Sequence, residues 1–421
     1  MSRIRSTTRR RVMAVLALIM VAGSVDLDVG PAAARDVLPQ PIGVIVGLVP
    51  GESIEAVAAR HATTSIDAIP ALSAYLVTWT DARTADQVAD ELALDPAVDF
   101  ANRNLTTRAP EVAFSGRIYK WTSAPPSDVV TQWAAGAIGL AAAHATTTGT
   151  GVTVAVLDTG IVAGPGFEGV VVQGIDFVDG DMVPGDDLDG IDQNSNGVID
   201  EAAGHGTHVA GIVHMVAPAA RIMPVRVLDS DGNSDTFTVA EAMLWAGDHG
   251  ANVVNLSLGQ SGSSTLLRKA TAVLWSRDVV VVGAAGNEAR NRDSFPAGAK
   301  CAIGVAASDQ QGRLADFSSY GSSVDVAAPG VEIVSVFPFS ATGAASWSGT
   351  SMAAPMVAGE VALLRSQRPD LRIGAIARLV VTSGVALIDP PGSIVGIRRI
   401  DVAAAVSKAA GAVTNTEECL Q

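Results

Sequence analysis

Three segments of the chain hold a carboxylate, an imidazole and a hydroxyl where predicted strands end or helices begin. Asp158 follows directly on the apolar run Val152–Leu157, while His205 and Ser351 each open a helical pattern. A hydroxyl becomes a nucleophile only when a base removes its proton, and a carboxylate must orient that base. These residue types therefore predict nucleophilic catalysis with Ser351 as nucleophile, His205 as base and Asp158 as its partner.

Each of these residues also has an ordinary structural interpretation. Asp158 could end a strand in a turn, His205 could begin a helix, and Ser351 could be an N-cap. His205 and His208 are spaced like a metal pair, but no Glu completes the zinc-protease pattern and Val209–Gly211 offer no third ligand, so zinc is disfavoured. The joint presence of all three segments favours the catalytic interpretation.

Apolar strand-like runs alternate with helical patterns after Gly151. Near-continuous apolar strands separated by helices predict a parallel sheet covered on both faces, with an active site beyond the carboxyl ends of its strands. The predicted strands are Val152–Leu157, Arg221–Leu228, Asn252–Leu258, Val279–Ala284 and Cys301–Ala307, and the predicted helices are His205–His214, Val239–His249, Leu266–Arg277 and Ser351–Gln367.

The three segments, in the order Asp, His, Ser, resemble the subtilisin-like serine protease family. The resemblance extends from Gln132–Gly139 to Gly396–Asp401, which is nearly all of the chain after residue 131. It implies an α/β fold with a mostly parallel sheet, and a serine endopeptidase that hydrolyses protein or peptide substrates without an organic cofactor. Met356 departs from the family pattern, in which many members have histidine, but this position is not in the triad.

The resemblance also assigns supporting residues. Ala284–Asn287 resembles the family's oxyanion segment, so Asn287 and the Ser351 amide are expected to donate hydrogen bonds to the oxyanion. Two strand edges are expected to clamp an extended peptide. The implied substrate-binding residues are Ser257, Leu258, Gly259, Gly232, Asn233, Ala285 and Gly286. Glu288 near the pocket mouth favours a basic group, while small wall residues indicate tolerance.

Two other classes of protein remain as alternatives. A catalytically silent binding relative would carry a damaged triad, and none is seen. A serine esterase of the α/β-hydrolase type would carry a Gly-x-Ser-x-Gly elbow and end its triad with histidine. Ser348–Met352 does not match that elbow, and Ser comes last here.

The first 34 residues have the layout of a secretory signal: a basic start, the apolar run Val12–Gly23, and Ala32–Ala34 before Arg35. The apolar run falls short of the roughly 20 residues that span a bilayer, so a membrane anchor is the weaker alternative. The segment Thr8–Met13 also fits a twin-arginine signal loosely. We expect a secreted, extracellular protein.

The pattern of residues 35–108 predicts a small α+β domain. Its predicted strands are Ile42–Val49, Ala74–Trp79 and Val98–Phe100, and its predicted helices are Ser53–His61 and Ala85–Leu94. The family resemblance implies a propeptide that occupies the active site with its C-terminal strand until cleaved; a separate binding module is the alternative. An exposed linker (109–131), the peptidase domain (132–412) and a short tail (413–421) are expected to follow.

Charge and cysteine content limit the classes of partner and of scaffold that this chain can have. The chain has 28 Lys and Arg against 43 Asp and Glu, a net charge of −15 that repels nucleic acid and anionic membranes. Only Cys301 and Cys419 are present, which excludes a dense disulfide scaffold. A bridge between them and a buried free thiol at Cys301 both stay open. We expect a monomer.

An acidic insert between Asp158 and His205 resembles the start of a calcium-binding EF-type loop. Oxygen-bearing side chains stand at positions one, three and five, with glycine at six and Ile199 at eight. Position twelve is Ala203 instead of glutamate, so a solvated acidic loop is the alternative. The predicted calcium ligands are Asp192, Asn194, Asn196, Val198, Asp200 and Glu201.

Overall fold

The computed structural model describes residues 43–111, 121–164, 166–167 and 169–413 of the 421-residue chain. The predicted signal segment (1–34) and the chain beyond 413 lie outside the described residues. Within the described part, none of the helices combines the length and the apolar character that crossing a membrane requires.

The N-terminal unit is a four-stranded antiparallel sheet with two helices on one face. Its elements are β1 (Val44–Leu48), α1 (Ile54–His61), β2 (Thr64–Ile69), β3 (Ala74–Thr78), α2 (Ala85–Ala93) and β4 (Val98–Arg103). The strand order is β2-β3-β1-β4. Both helices begin at hydroxyl caps, Ser53 and Thr84, the latter in a capping box with Gln87. Valines and leucines from both layers form its core.

The C-terminal unit is built on a nine-stranded sheet in the described residues. Its strands are β7 (Thr153–Asp158), β8 (Ile175–Asp176), β9 (Arg221–Arg226), β11 (Val253–Leu256), β13 (Val280–Ala284), β15 (Ala302–Ser308), β16 (Val326–Pro329), β19 (Val385–Ala386) and β20 (Arg398–Arg399). The order is β19-β20-β16-β15-β13-β11-β7-β9-β8, and every pair is parallel except β19–β20. The prediction of a mostly parallel sheet is confirmed.

Helices cover both faces of this sheet. The helices are α3 (Asp128–Thr131), α4 (Trp133–Ala137), α5 (Leu140–His144), α6 (His205–Val216), α7 (Thr236–Asp248), α8 (Thr265–Ser276), α9 (Thr350–Gln367), α10 (Ile373–Ser383) and α11 (Val402–Ala409). Successive residues of β7 alternate between two cores: Val154 and Val156 pack with α6 and α9, while Ala155 and Leu157 pack with α7 and α8. This alternation follows from the two-residue period of a strand.

Short strands complete the fold at the sheet's rim. They are β5 (Thr106–Arg108), β6 (Thr122–Ser123), β10 (Asn233–Asp235), β12 (Gln260–Ser261), β14 (Ser294–Phe295), β17 (Ile333–Val336) and β18 (Ala344–Trp347). β5 pairs antiparallel with β10, β12 with β14, and β18 lies between β17 and β6.

The described ends of the predicted 109–131 linker differ from an exposed chain. Ala109 and Glu111 are buried, and β6 and α3 are parts of the C-terminal unit. Both ends contact hydrogen-bonding strand edges or apolar surface, which linker composition alone does not reveal.

Cys301 is in a disulfide, so the alternative of a buried free thiol at this position is wrong. Cys419 lies outside the described residues.

Candidate active site

Asp158 ends the buried strand β7 and is fully buried itself. Its Oδ1 accepts a hydrogen bond from the Thr159 amide at 2.8 Å and lies 2.7 Å from His205 Nδ1. The strand's position in the middle of the sheet holds this carboxylate rigidly. Asp158 is therefore placed to fix the tautomer and orientation of the imidazole.

His205 is the first residue of α6, and the glycines on either side bring this helix close to its neighbours. Gly204 has a φ of 89°, and a Cβ there would lie 2.4 Å from the Phe337 ring. A Cβ on Gly206 would lie 2.2 Å from the Gly160 carbonyl oxygen. Side chains larger than glycine would push His205 away from Asp158.

Ser351 stands in the first turn of the buried helix α9. Its Oγ donates to Glu111 Oε2 at 2.7 Å and lies 3.2 Å from the Ser257 carbonyl oxygen. His205 Nε2 lies 3.0 Å from the same Glu111 oxygen. The hydroxyl and the imidazole thus meet at one carboxylate.

Asn287 follows β13 and is fixed by the start of α9. Its Oδ1 accepts from the Thr350 amide at 2.9 Å and from the Thr350 hydroxyl at 3.0 Å. Its Nδ2 therefore points into the site, where it donates to Glu111 Oε1 at 2.9 Å. A side-chain amide held in this way can stabilise a negative oxygen.

Electrostatics at the imidazole are dominated by carboxylates. Burial alone would lower the pKa of His205, but Asp158 and Glu111 outweigh burial and raise this pKa to about 10. His208, one turn further along α6, has no carboxylate partner among the described residues. Burial lowers the pKa of His208 to about 3, and its Nε2 lies 3.1 Å from the Ala345 carbonyl oxygen. The two histidines therefore have separate partners and do not form the metal pair considered from their spacing.

Two residues at this site were not predicted from the sequence. One is Glu111; the other is Asp186, a buried carboxylate that accepts hydrogen bonds from the Thr159 hydroxyl, the Gly204 amide, and the amide and hydroxyl of Thr207. Asp186 thereby ties the residue after Asp158 to the start of the His205 helix. Burial raises the pKa of Asp186 to about 6, while the hydrogen bonds from Thr207 and from the Gly204 amide oppose the rise. The sequence does not distinguish Asp186 from its neighbours, because Asp186 is one of many aspartates in the acidic insert.

The predicted substrate edges flank the strand β5. Arg108 exchanges backbone hydrogen bonds with Gly259, at 3.0 and 2.9 Å, and the Ala109 amide donates to the Gly232 carbonyl at 3.0 Å. Asn233 pairs with Arg108 on the other side. A strand held between two edges is the arrangement expected for a bound extended peptide.

The other predicted substrate-binding residues lie around this strand with different contacts. The Ser257 carbonyl oxygen lies 3.2 Å from the Ser351 hydroxyl, whereas the Leu258 side chain is buried in the core on the α7 and α8 face. Ala285 is buried, and the Gly286 amide donates to the Thr350 hydroxyl at 3.1 Å. Their shared position is the loop and strand ends that surround the start of α9.

The predicted calcium loop folds back on itself. The Asn196 amide lies 3.1 Å from both Asp192 Oδ1 and Asn194 Oδ1, so these two oxygens converge. Both asparagine Nδ2 groups donate to Glu201, at 2.9 and 2.8 Å. Asp200 instead accepts from the amides of residues 189 and 190, while the Val198 amide donates to Asn196 Oδ1. No group of three or more His, Cys, Asp or Glu among the described residues is arranged to hold a metal.

Comparison with known families supplies the decisive observation. The Subtilase family model matches residues 149–409, and the fervidolysin N-terminal prodomain model matches residues 43–104. The chain belongs to the subtilase family. The N-terminal unit is its prodomain, and the protein is a serine-type endopeptidase.

Several subtilases are similar to this chain over long stretches. Thermitase from Thermoactinomyces vulgaris is 44% identical over 230 residues, covering 52% of this chain and 76% of thermitase. The alkaline protease of Shouchella clausii is 35% identical over 316 residues, covering 72% of this chain and 71% of that protein. The crystal structure of fervidolysin from Fervidobacterium pennivorans, described as a keratinolytic enzyme, superposes with a TM-score of 0.71 at 25% identity. That match covers 89% of this subtilase but only 62% of the fervidolysin chain.

Proposed function

We propose that this subtilase is an exported, self-processing endopeptidase in which Ser351 attacks the scissile carbonyl, His205 transfers the proton and Asp158 orients His205. One observation carries this proposal: His205 Nε2, Ser351 Oγ and Asn287 Nδ2 all lie within 3.0 Å of a single carboxylate. A carboxylate resembles the product of peptide hydrolysis. Groups that converge on it can also converge on the reacting carbon of a substrate.

The chemistry then follows from the positions of the donors. Ser351 Oγ adds to the carbonyl carbon as its proton passes to His205 Nε2, and the imidazolium is stabilised by Asp158. The carbonyl oxygen gains the negative charge and receives the hydrogen bond from Asn287 Nδ2. Collapse of this intermediate expels the amine, which takes the proton from His205, and water hydrolyses the acyl-enzyme by the same steps.

Substrate recognition through the main chain is supported by the strand β5. A protein substrate would replace Thr106–Ala109 between Gly232 and Gly259, using backbone groups that every sequence offers. Selectivity would then come from the pocket beside Gly286. There the half-buried Glu288 accepts from the Ser319 hydroxyl at 2.8 Å.

The test is to express the precursor and its Ser351→Ala variant and to follow intact mass over time. We expect the wild-type precursor to lose its N-terminal unit without added protease and the variant to remain whole. Identical maturation of the two forms would contradict self-processing. N-terminal sequencing of the exported protein tests whether residues 1–34 are removed. Sedimentation tests whether the protein is a monomer.

Calcium is proposed as a structural ion of the insert. The converging oxygens of Asp192 and Asn194 fit a hard cation. Two buried carboxylate oxygens, Asp231 Oδ1 and Glu201 Oε2, have no hydrogen-bond partner in the part of the chain that the structure describes. These residues would hold the ion and stiffen the chain leading to His205. Chelation should lower the melting temperature of the Ser351→Ala precursor. Asp192→Asn should reduce that calcium-dependent difference, and equal melting curves with and without calcium would contradict the site.

A further inference from the structure

The side chain of Glu111 occupies the catalytic centre. Glu111 lies just beyond the end of β5 and is almost completely buried. Its Oε2 contacts both the Ser351 hydroxyl, at 2.7 Å, and His205 Nε2, at 3.0 Å. Its Oε1 accepts from Asn287 Nδ2 at 2.9 Å. One side chain therefore engages the nucleophile, the base and the oxyanion donor together.

The backbone register explains how this side chain arrives there. Arg108 pairs antiparallel with Gly259, so Pro110 falls opposite Ser257, whose carbonyl lies 3.2 Å from the nucleophile. Pro110 has no amide to donate, and the clamp by the two substrate edges ends at Ala109. Glu111 is thus the first residue beyond the clamp, and its side chain fills the place where a scissile carbonyl would sit.

We propose that the Glu111 carboxylate is a built-in inhibitor of the precursor, and that it must leave the catalytic centre before the first self-cleavage. This inference deepens the proposed function and depends on it. With Glu111 in place, the Ser351 hydroxyl donates to a carboxylate that cannot be attacked productively. The Asn287 amide is also occupied, so no peptide carbonyl can use it.

The charges around the imidazole reinforce this arrangement. His205 faces Asp158 from β7 and Glu111 from beyond the end of β5. Asp186 is near enough to Asp158 for the Asp158 charge to raise the Asp186 pKa, and His208 on the same helix is uncharged because burial lowers its pKa to about 3. Against burial, the two carboxylates raise the pKa of His205 to about 10, so the ring stays protonated at neutral pH. A protonated imidazole cannot act as a general base. Removal of the Glu111 charge should lower this pKa.

The experiment compares self-processing of the full-length precursor with that of Glu111→Gln and Glu111→Ala, by intact mass at pH 8. Glu111→Gln keeps the shape and removes the charge; Glu111→Ala removes the group. We expect both variants to process at least about fivefold faster than wild type. Glu52→Gln, an exposed prodomain position, is the matched control and should process at the wild-type rate.

A second measurement separates inhibition from recognition of Glu111 as a substrate residue. The processing rate of wild type should keep rising up to about pH 10, whereas the Glu111→Gln profile should reach its plateau at lower pH. Slower processing of both variants, or superimposable pH profiles, would overturn the proposal. Failure of the proposed function is distinguishable, because the wild-type and Ser351→Ala precursors would then both remain whole.

Discussion

The proposed oxyanion donor and the Asp158–His205 pair are each held by a neighbour that has no part in bond making. Thr350 turns the amide of Asn287 into the site, and Asp186 joins the chain after Asp158 to the start of the His205 helix. Enzymes lose activity when reacting groups move by as little as about 1 Å. These neighbours should therefore control the rate without touching substrate.

Asp186→Asn is expected to lower kcat by about tenfold or more while changing KM little, because an amide cannot accept all four hydrogen bonds and its NH₂ opposes a donor. The measurement is steady-state kinetics on a peptide substrate, with the variant matured by added wild-type enzyme. The exposed neighbour Asp187→Asn is the control and should keep wild-type kinetics. Equal kcat for the two variants would show that Asp186 does not position His205.

Asn287→Ala is expected to lower kcat by about 10²–10³ with a small change in KM, because its Nδ2 acts on charge that develops only in the transition state. The measurement is kcat and KM of the matured variant. A rise in KM at constant kcat would instead assign Asn287 to ground-state binding of the substrate.

The sequence indicated the candidate reactive residues because their neighbouring motifs are specific, but it gave no signal for Glu111 or Asp186. Asp158, His205 and Ser351 stand at the ends of apolar elements, which marks their positions. Glu111 is an acidic residue in a proline- and alanine-containing segment, and nothing local indicates that it turns inward. Its role arises only from the pairing of β5 with β10 on one side and of Arg108 with Gly259 on the other.

At the scale of elements, apolar runs were predictable and polar strands were not. The parallel strands β7, β11 and β13 are fully buried and read as continuous apolar runs. The strand β2 is mostly exposed and has the mixed sequence TSIDAI, so pairing with β3 defines it more than its own pattern does. β10 likewise consists of polar residues, and its pairing with β5 defines it as a strand.

Helix α9 contains a destabilising residue, Glu360. Its side chain is fully buried, and neither carboxylate oxygen has a hydrogen-bond partner in the described structure. Burial raises the pKa of Glu360 well above 4.5, with a smaller contribution from Asp401. The folded state therefore binds a proton that the unfolded state releases above pH 4.5. Stability should fall as pH rises from that value until the folded pKa is passed.

Glu360→Leu should accordingly stabilise the protein by about 1–3 kcal/mol, with a larger gain at pH 8 than at pH 5. Urea unfolding in the Ser351→Ala background measures this without autolysis. The exposed substitution Glu332→Leu is the control for added apolar surface. A gain that is the same at both pH values would mean that the charge of Glu360 is not responsible.

At the scale of the whole molecule, prodomain and enzyme are joined by a polar and an apolar contact surface. Lys269 on α8 binds Asp99 at 2.6 Å and lies 5.2 Å from the centre of the Phe100 ring. Close to this surface, Glu241 on α7 faces Asp67 of the prodomain and Asp235 of the enzyme. Burial, followed by these two carboxylates, raises the pKa of Glu241 to about 7. Because Asp67 of the prodomain is one of the charges that raise this pKa, repulsion between Asp67 and Glu241 should weaken docking as pH rises from about 4.5 through 7.

Glu241→Gln should delay the onset of activity after self-cleavage, by roughly tenfold at pH 8 and not at pH 5, because the prodomain is no longer repelled. The measurement is the lag before hydrolysis of a peptide substrate, recorded alongside cleavage of the precursor. Glu52→Gln should show the wild-type lag at both pH values. A lag that is unaffected at pH 8 would exclude Glu241 from release.

The prodomain shares a hydrophobic core with the enzyme: Ile45, Ile69 and Ala74 pack in the same cluster as Leu244 and Leu266 of α7 and α8. Departure of the prodomain would leave these two helices with bare aliphatic surface facing water. The mature protease would then adhere more readily to interfaces and to other proteins than its precursor does. Its colloidal behaviour in a concentrated solution would change when the prodomain leaves.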